Sequence, residues 1–212
     1  VKNFTNESDR ELDSEVMRAH QKHPRGLELV KKYMERDYVV PEDFNSFLYV
    51  SQLLQAEGIK TAIESHRRTK PYCMGTLYWQ LNDCWPVVSW SGIDYYGRWK
   101  ALHYFVRDAY KTFLVSVDDK DGILDVYIVS DSAEAIDAIL DMRLLTFDGE
   151  EVYKKVIDVR IPPSSSKIYR DVVPYRGTTS LSIVLVLNLS HGNNVFASNL
   201  YYFSKPKDLN LK

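Results

Sequence analysis

The stretch Met74-Gly-Thr-Leu-Tyr-Trp-Gln-Leu81, running straight into Asn82-Asp83-Cys84-Trp85-Pro86, decides the reading of this sequence. A short apolar and aromatic run of this length, with little alternation, is the signature of a strand buried on both faces, as in parallel sheets and barrels. It ends in a polar, aromatic lip. A loop then passes Trp90, Ser91 and Gly92 to reach Gly97, and a helix follows with Trp99, Leu102, Val106 and Ala109 along one side. Strand, long loop and helix make one βα unit, and in a (β/α)8 barrel the loop after a strand lies on the active-site face.

Working back from that stretch, the first hundred residues read as helices. Ser8-Asp-Arg-Glu11 has a capping-box pattern that would open a helix through about Lys22, where Pro24 and Gly26 break it. A second helix is expected over Leu27 to Arg36. A third is expected from Pro41, with Glu42 and Asp43 complementing its positive end and Phe44, Phe47, Leu48, Leu54 and Ile63 on its apolar face. Gly58 weakens its middle.

Working forward, the period changes to two from about Lys111. Seven strands are expected near Thr112–Asp118, Leu124–Ser130, Ala138–Phe147, Val152–Arg160, Lys167–Val173, Leu181–Asn188 and Phe196–Phe203. Asp121-Gly122 and Asp148-Gly149 are hairpin dipeptides, and Pro162-Pro163 with its serine run is a longer connection. The expected fold class is therefore α+β: helices with one βα unit over 1–110, followed by an antiparallel β-sandwich over 111–212.

Composition limits the partners. The 212 residues carry a formal net charge of −2 from well-mixed signs, with 45% hydrophobic content, so neither a nucleic acid nor an anionic membrane surface is suggested. The expected ligand is neutral. No run approaches the roughly 20 apolar residues of a membrane span. Cys73 and Cys84 have no CxxC spacing and are expected to be free, which argues against a zinc site.

The densest group of binding-type residues is Tyr78 to Trp85. A tryptophan at a strand's mouth offers a flat platform for the C–H face of a sugar, while Asn, Asp and Gln hydrogen-bond hydroxyls. Read from the residues alone, Trp79, Trp85 and Trp90 fit loop packing as well as they fit a sugar, with Asn82 and Asp83 capping the loop. A non-catalytic carbohydrate-binding module and a structural packing domain stand beside an enzyme as readings.

The runs Met74–Pro86, Ser89-Trp-Ser-Gly-Ile-Asp-Tyr-Tyr-Gly97 and Trp99-Lys-Ala-Leu-His-Tyr-Phe105 resemble the β-mannosidase branch of the family-2 glycoside hydrolases. The resemblance reaches back through Ala19-His-Gln-Lys22 and Tyr33-Met-Glu-Arg-Asp-Tyr38; Cys84 departs from it, standing where a small residue such as serine is expected. It implies the C-terminal piece of a retaining exo-enzyme that removes non-reducing-end β-mannose, with no metal and no organic cofactor, in which 1–110 are the last βα elements of a truncated (β/α)8 barrel and 111–212 an immunoglobulin-like antiparallel β-sandwich. It also implies two catalytic glutamates at the ends of barrel strands four and seven, both upstream of Val1, so no catalytic residue is assigned within the chain. Trp79 is expected to wall the mannose subsite, Asn82 and Asp83 to bind or orient, Trp85 and Trp90 to line the leaving-group side, and His20 and Gln21 to face the pocket. Glu11, Glu15, Glu28, Glu35, Glu42, Glu57 and Glu64 are expected on solvated helix surfaces. The expected partners are a β-mannoside or oligosaccharide, the upstream domains of the same chain, and a second copy docked through the open barrel faces.

Overall fold

A computed structural model describes residues 1–120, 123–170 and 181–211. The hairpin dipeptide Asp121-Gly122 and the end of the strand expected at Lys167–Val173 lie outside the described residues. The chain divides into two compact units, one of residues 1–61 and 77–108, the other of residues 62–76 and 109–212.

The first unit is helical. After a 3-10 turn at Glu7–Asp9 come α1 (Glu15–Ala19), α2 (Gly26–Asp37), α3 (Phe44–Arg68), whose last turns belong to the second unit, and α4 (Ala101–Ala109). The capping box expected at Ser8 does not open a helix. Ser14 does so instead: its Oγ accepts from Met17 N–H at 3.2 Å while donating to the Asp9 carbonyl at 2.7 Å, and α1 is correspondingly short. At α3 the cap is Asp43, which accepts from Ser46 N–H at 3.0 Å, so the helix starts three residues beyond Pro41. α3 runs through Gly58 without a break and buries Phe47, Ala56 and Ile63.

Met74–Leu81 forms no strand ladder among the described residues. Tyr72, Met74, Leu77, Trp79 and Leu81 are all exposed, Leu77 by 98%. The both-faces-buried strand expected here is corrected for a physical reason: a ladder is a property of two segments, and among the described residues this one bonds backbone to backbone with another segment only at its end, at Gln80 and Leu81. The peptides Lys70–Pro71 and Trp79–Gln80 are cis.

The second unit is the antiparallel sandwich. β1 (Phe113–Lys120), β2 (Ile123–Ser130) and β5 (Ser165–Tyr169) form one sheet in the order β1-β2-β5, and β3 (Ile136–Thr146), β4 (Glu151–Ile161), β6 (Ile183–His191) and β7 (Asn194–Tyr202) form the other in the order β4-β3-β6-β7. Register is set by period two. Ala138, Leu140, Met142 and Leu144 of β3 and Ile183, Leu185, Leu187 and Leu189 of β6 point inward, and Leu140 faces Leu189, Met142 faces Leu187 and Leu144 faces Leu185 across the ladder. Val115, Val126, Ile128, Val159 and Ile161 complete the core.

In β1 and β2 both faces carry buried residues, Leu114 and Ser116 as well as Val115. The second face is covered by residues 62–76. Arg68 lies 5.7 Å from the Tyr127 ring, its carbonyl accepts from Ser166 Oγ, and Asn199 Nδ2 donates to both Glu64 Oε1 (2.8 Å) and the Val115 carbonyl (2.9 Å). Glu64 is therefore a buried structural residue, not the solvated one expected from its helical position.

Candidate functional site

The lip of the first unit is built from three short backbone segments tied together. Gly92 N–H donates to the Gln80 carbonyl, Ile93 N–H to the Leu81 carbonyl and Asp83 N–H to the Ile93 carbonyl, at 2.8–3.2 Å, so residues 80–83 and 91–93 run side by side. On the other flank Val88 N–H donates to the His20 carbonyl (2.7 Å) and Lys22 N–H to the Val88 carbonyl (3.0 Å), which binds the segment after α1 to the loop. Gly97, at φ +78°, closes the turn in which Asp94 accepts from the Tyr96 and Arg98 N–H groups.

On this frame the expected site residues separate into two groups. Trp79 is 76% exposed, Asn82 is exposed, and Trp85 is 37% exposed. Asn82 Nδ2 makes only a long bond to the Asp83 carbonyl, 3.4 Å, and its carbonyl accepts from Gln80 Nε2 at 2.6 Å. Trp85 lies 5.6 Å from the ring of His20, which in turn stacks on Phe4 at 4.3 Å and 7°. His20 Nδ1 meets the Pro86 carbonyl at 2.6 Å, an acceptor that requires this nitrogen to carry the proton. These contacts give the loop its shape.

The second group is tied into the frame. Gln21 Oε1 accepts from Leu27 N–H at 3.0 Å and so caps α2. The Asp83 carboxylate, 1% exposed, accepts from Ser89 Oγ at 2.7 and 2.8 Å, from Ser91 Oγ, and from Lys100 Nζ at 3.3 Å, with Lys22 Nζ 3.9 Å away. A carboxylate removed from water is tolerable only when its lone pairs and its charge are met in this way. Burial pulls the Lys100 ammonium below its ordinary value, and the neighbouring Asp83 charge opposes that shift. Asp83 is thus a hub inside the loop rather than a free hydrogen-bonding arm. Trp90 is half-buried: its indole N–H donates to Gln80 Oε1 at 3.2 Å and its carbonyl accepts from Gln55 Nε2 at 2.7 Å.

The second unit holds a depression lined by His66, Arg67, Lys70, Thr76, Tyr110 and Asp131. Its charges are paired with one another: Asp131 pairs with Arg67 at 2.8 Å and also with Lys70. Among the described residues no group of three or more His, Cys, Asp or Glu is placed to hold a metal, and no helix is long and apolar enough to cross a membrane. Cys73 and Cys84 are free thiols.

Residues 122–208 match the family described as the Mannosidase Ig/CBM-like domain. The chain is 33% identical over 190 residues to β-mannosidase A of Aspergillus niger, covering 80% of this chain and 20% of that protein, and 41% identical over 117 residues to the β-mannosidase of Capra hircus, covering 51% and 13%. The crystal structure of the β-D-mannosidase of Dictyoglomus thermophilum superposes with a TM-score of 0.90 at 33% identity, over 98% of this chain and 26% of that one. Over most of its length the chain is thus similar to one part of a β-mannosidase. It spans about a fifth of the length of the curated β-mannosidases it matches. The fold class is α+β, ending in an immunoglobulin-like antiparallel sandwich, as in the C-terminal region of the β-mannosidase structure it matches.

Sequence reasoning did not single out Lys22, Ser89, Ser91 and Lys100. Lysines and serines in loops are ordinarily solvated, and their convergence on Asp83 depends on segments brought together from 22, 83–91 and 100. The signal that existed was Gln80, whose amide sits in the same run as Trp79 and Asn82.

Proposed function

We propose that this chain forms one wall of the sugar subsite of a retaining, exo-acting β-mannosidase and carries its terminal structural sandwich, the helical unit being the last βα elements of the catalytic barrel. The observation that carries the proposal is the exposed Trp79 ring beside the hydrogen-bonded lip, in a chain similar over nearly all its length to a β-mannosidase. An exposed aromatic platform flanked by fixed polar groups suits the apolar face and hydroxyl edge of a pyranose. Trp79 walls the mannose, Asn82 turns its exposed amide toward a hydroxyl, and Trp85 and Trp90 stand on the leaving-group side.

Retention of configuration needs two carboxyl groups about 5 Å apart, one as nucleophile and one as acid/base. The glutamates of α1, α2 and α3 lie on helices rather than at a strand's mouth, and Glu64 is engaged with Asn199. We assign both catalytic glutamates to sequence outside residues 1–212. The side chains of the lip then act by holding the sugar in a near-attack arrangement.

The test is hydrolysis of an aryl β-mannoside by this chain beside the same chain extended upstream through the rest of the barrel. Activity in the extended form alone supports the proposal. Glutamate-dependent activity in the 212-residue chain, or none in the extended form, overturns it.

A further inference from the structure

Trp90 is held from three sides, and the groups that hold it continue into the buried carboxylate of Asp83. An indole N–H and an ammonium can only donate, so Gln80 must turn Oε1 toward Trp90 Nε1 (3.2 Å) and Lys22 Nζ (3.4 Å) and Nε2 toward the Asn82 carbonyl (2.6 Å). The amide has one orientation that satisfies all three. Lys22 joins the two clusters: its Nζ is 5.4 Å from the centre of the Trp90 ring and 3.9 Å from Asp83 Oδ1. Asp83 fixes the far side of the loop through Ser89, Ser91 and Lys100, with Lys100 Nζ also 2.8 Å from Ser91 Oγ.

We propose that Gln80 and Asp83 are positioning residues for the aromatic lip: neither meets the sugar, and together they lock the plane of Trp90 and the path of residues 82–92. The proposal rests on reading the lip as part of a sugar subsite. A stacking platform contributes to binding only to the extent that its orientation is set before the ligand arrives. Asp83→Asn would leave Lys100 facing a neutral amide in a buried setting and endanger the fold itself, so Gln80, which is only half-buried, is the residue to change.

Gln80→Met keeps the volume and removes every polar contact. The first readout is the Trp90 indole N–H signal in isotope-labelled protein, one of four tryptophan signals, assigned by its loss in Trp90→Phe. In Gln80→Met it is expected to move and to exchange faster with solvent; in Gln80→Glu, which still presents an oxygen, it is expected to return toward its original position. The second readout is kcat/KM on an aryl β-mannoside in the extended chain, expected to fall about tenfold in Gln80→Met with little change in melting temperature. An unmoved indole signal overturns the proposal, as does a moved signal with kcat/KM within about twofold of the parent. If the extended parent chain cleaves no β-mannoside, the functional reading fails while the indole signal still decides whether Gln80 sets Trp90.

Discussion

Gly92 shows how much a missing side chain can matter. A Cβ there would stand 2.9 Å from Tyr78 Oη and 3.3 Å from His103 Nδ1, two buried polar atoms that share the space the glycine leaves. Gly92→Ala is expected to force the Tyr78 ring aside and cost about 1–3 kcal/mol, read as a lower midpoint in urea unfolding; an unchanged midpoint would mean the ring yields freely. Tyr38 makes a prediction about pH. Burial, with the nearby Glu57 and Asp37 charges adding to it, pushes its phenol up from 10.0 to about 12. The fold thus favours the neutral phenol, so this contribution to stability is complete below pH 10.0 and is lost as pH rises toward about 12. Over that window Tyr38→Phe should lose stability less steeply than the parent; parallel curves would show that Tyr38 ionises freely. Asp83 marks the limit of what single residues reveal in a sequence. Its type and its neighbours Asn82 and Trp85 suggested a ligand, but its lysine partners come from distant points in the chain.

Elements were legible where their pattern is local. Six strands lie close to their expected places, and β5 overlaps the strand expected at Lys167–Val173 over Lys167–Tyr169, because alternation is a local pattern; in β3 and β6 it sets Leu140, Met142, Leu185 and Leu187 inward. Helix starts were less legible, since Ser8 has the capping-box glutamate at Glu11 while the cap that forms is Ser14, with Met17 three residues on and its Oγ held by the Asp9 carbonyl. Met74–Leu81 was misread for a deeper reason: its composition suits a buried strand, whereas pairing depends on a partner. Two substitutions probe these elements. Gly58→Ala, with nothing within 4 Å of the new methyl, should stabilise α3 by about 0.5–1 kcal/mol in urea unfolding; a loss would mean the glycine has a packing role. Asn199→Ala removes both the donor to buried Glu64 and the donor to the Val115 carbonyl, and should cost about 1–3 kcal/mol. A neutral result would show that Glu64 finds another partner.

At the scale of the molecule, the exposed run from Tyr72 to Leu81 sets the behaviour of the chain on its own. Chymotrypsin should cut first at Tyr72 or Leu77, because both side chains are almost fully exposed and lie where the described residues form no strand ladder. The same bonds should be protected in the chain extended through the barrel; equal cutting rates in both forms would argue that the segment stays open there too. Cys84 has a different use. It is exposed, it is free, and it sits between buried Asp83 and exposed Trp85 at the crest of the lip. With Cys73 replaced by serine, a thiol-reactive dye at Cys84 would ride on the loop whose shape is in question, so that its brightness could be followed as sugars are titrated in. The departure from the family pattern at this position thus offers a natural attachment point for an optical reporter of occupancy.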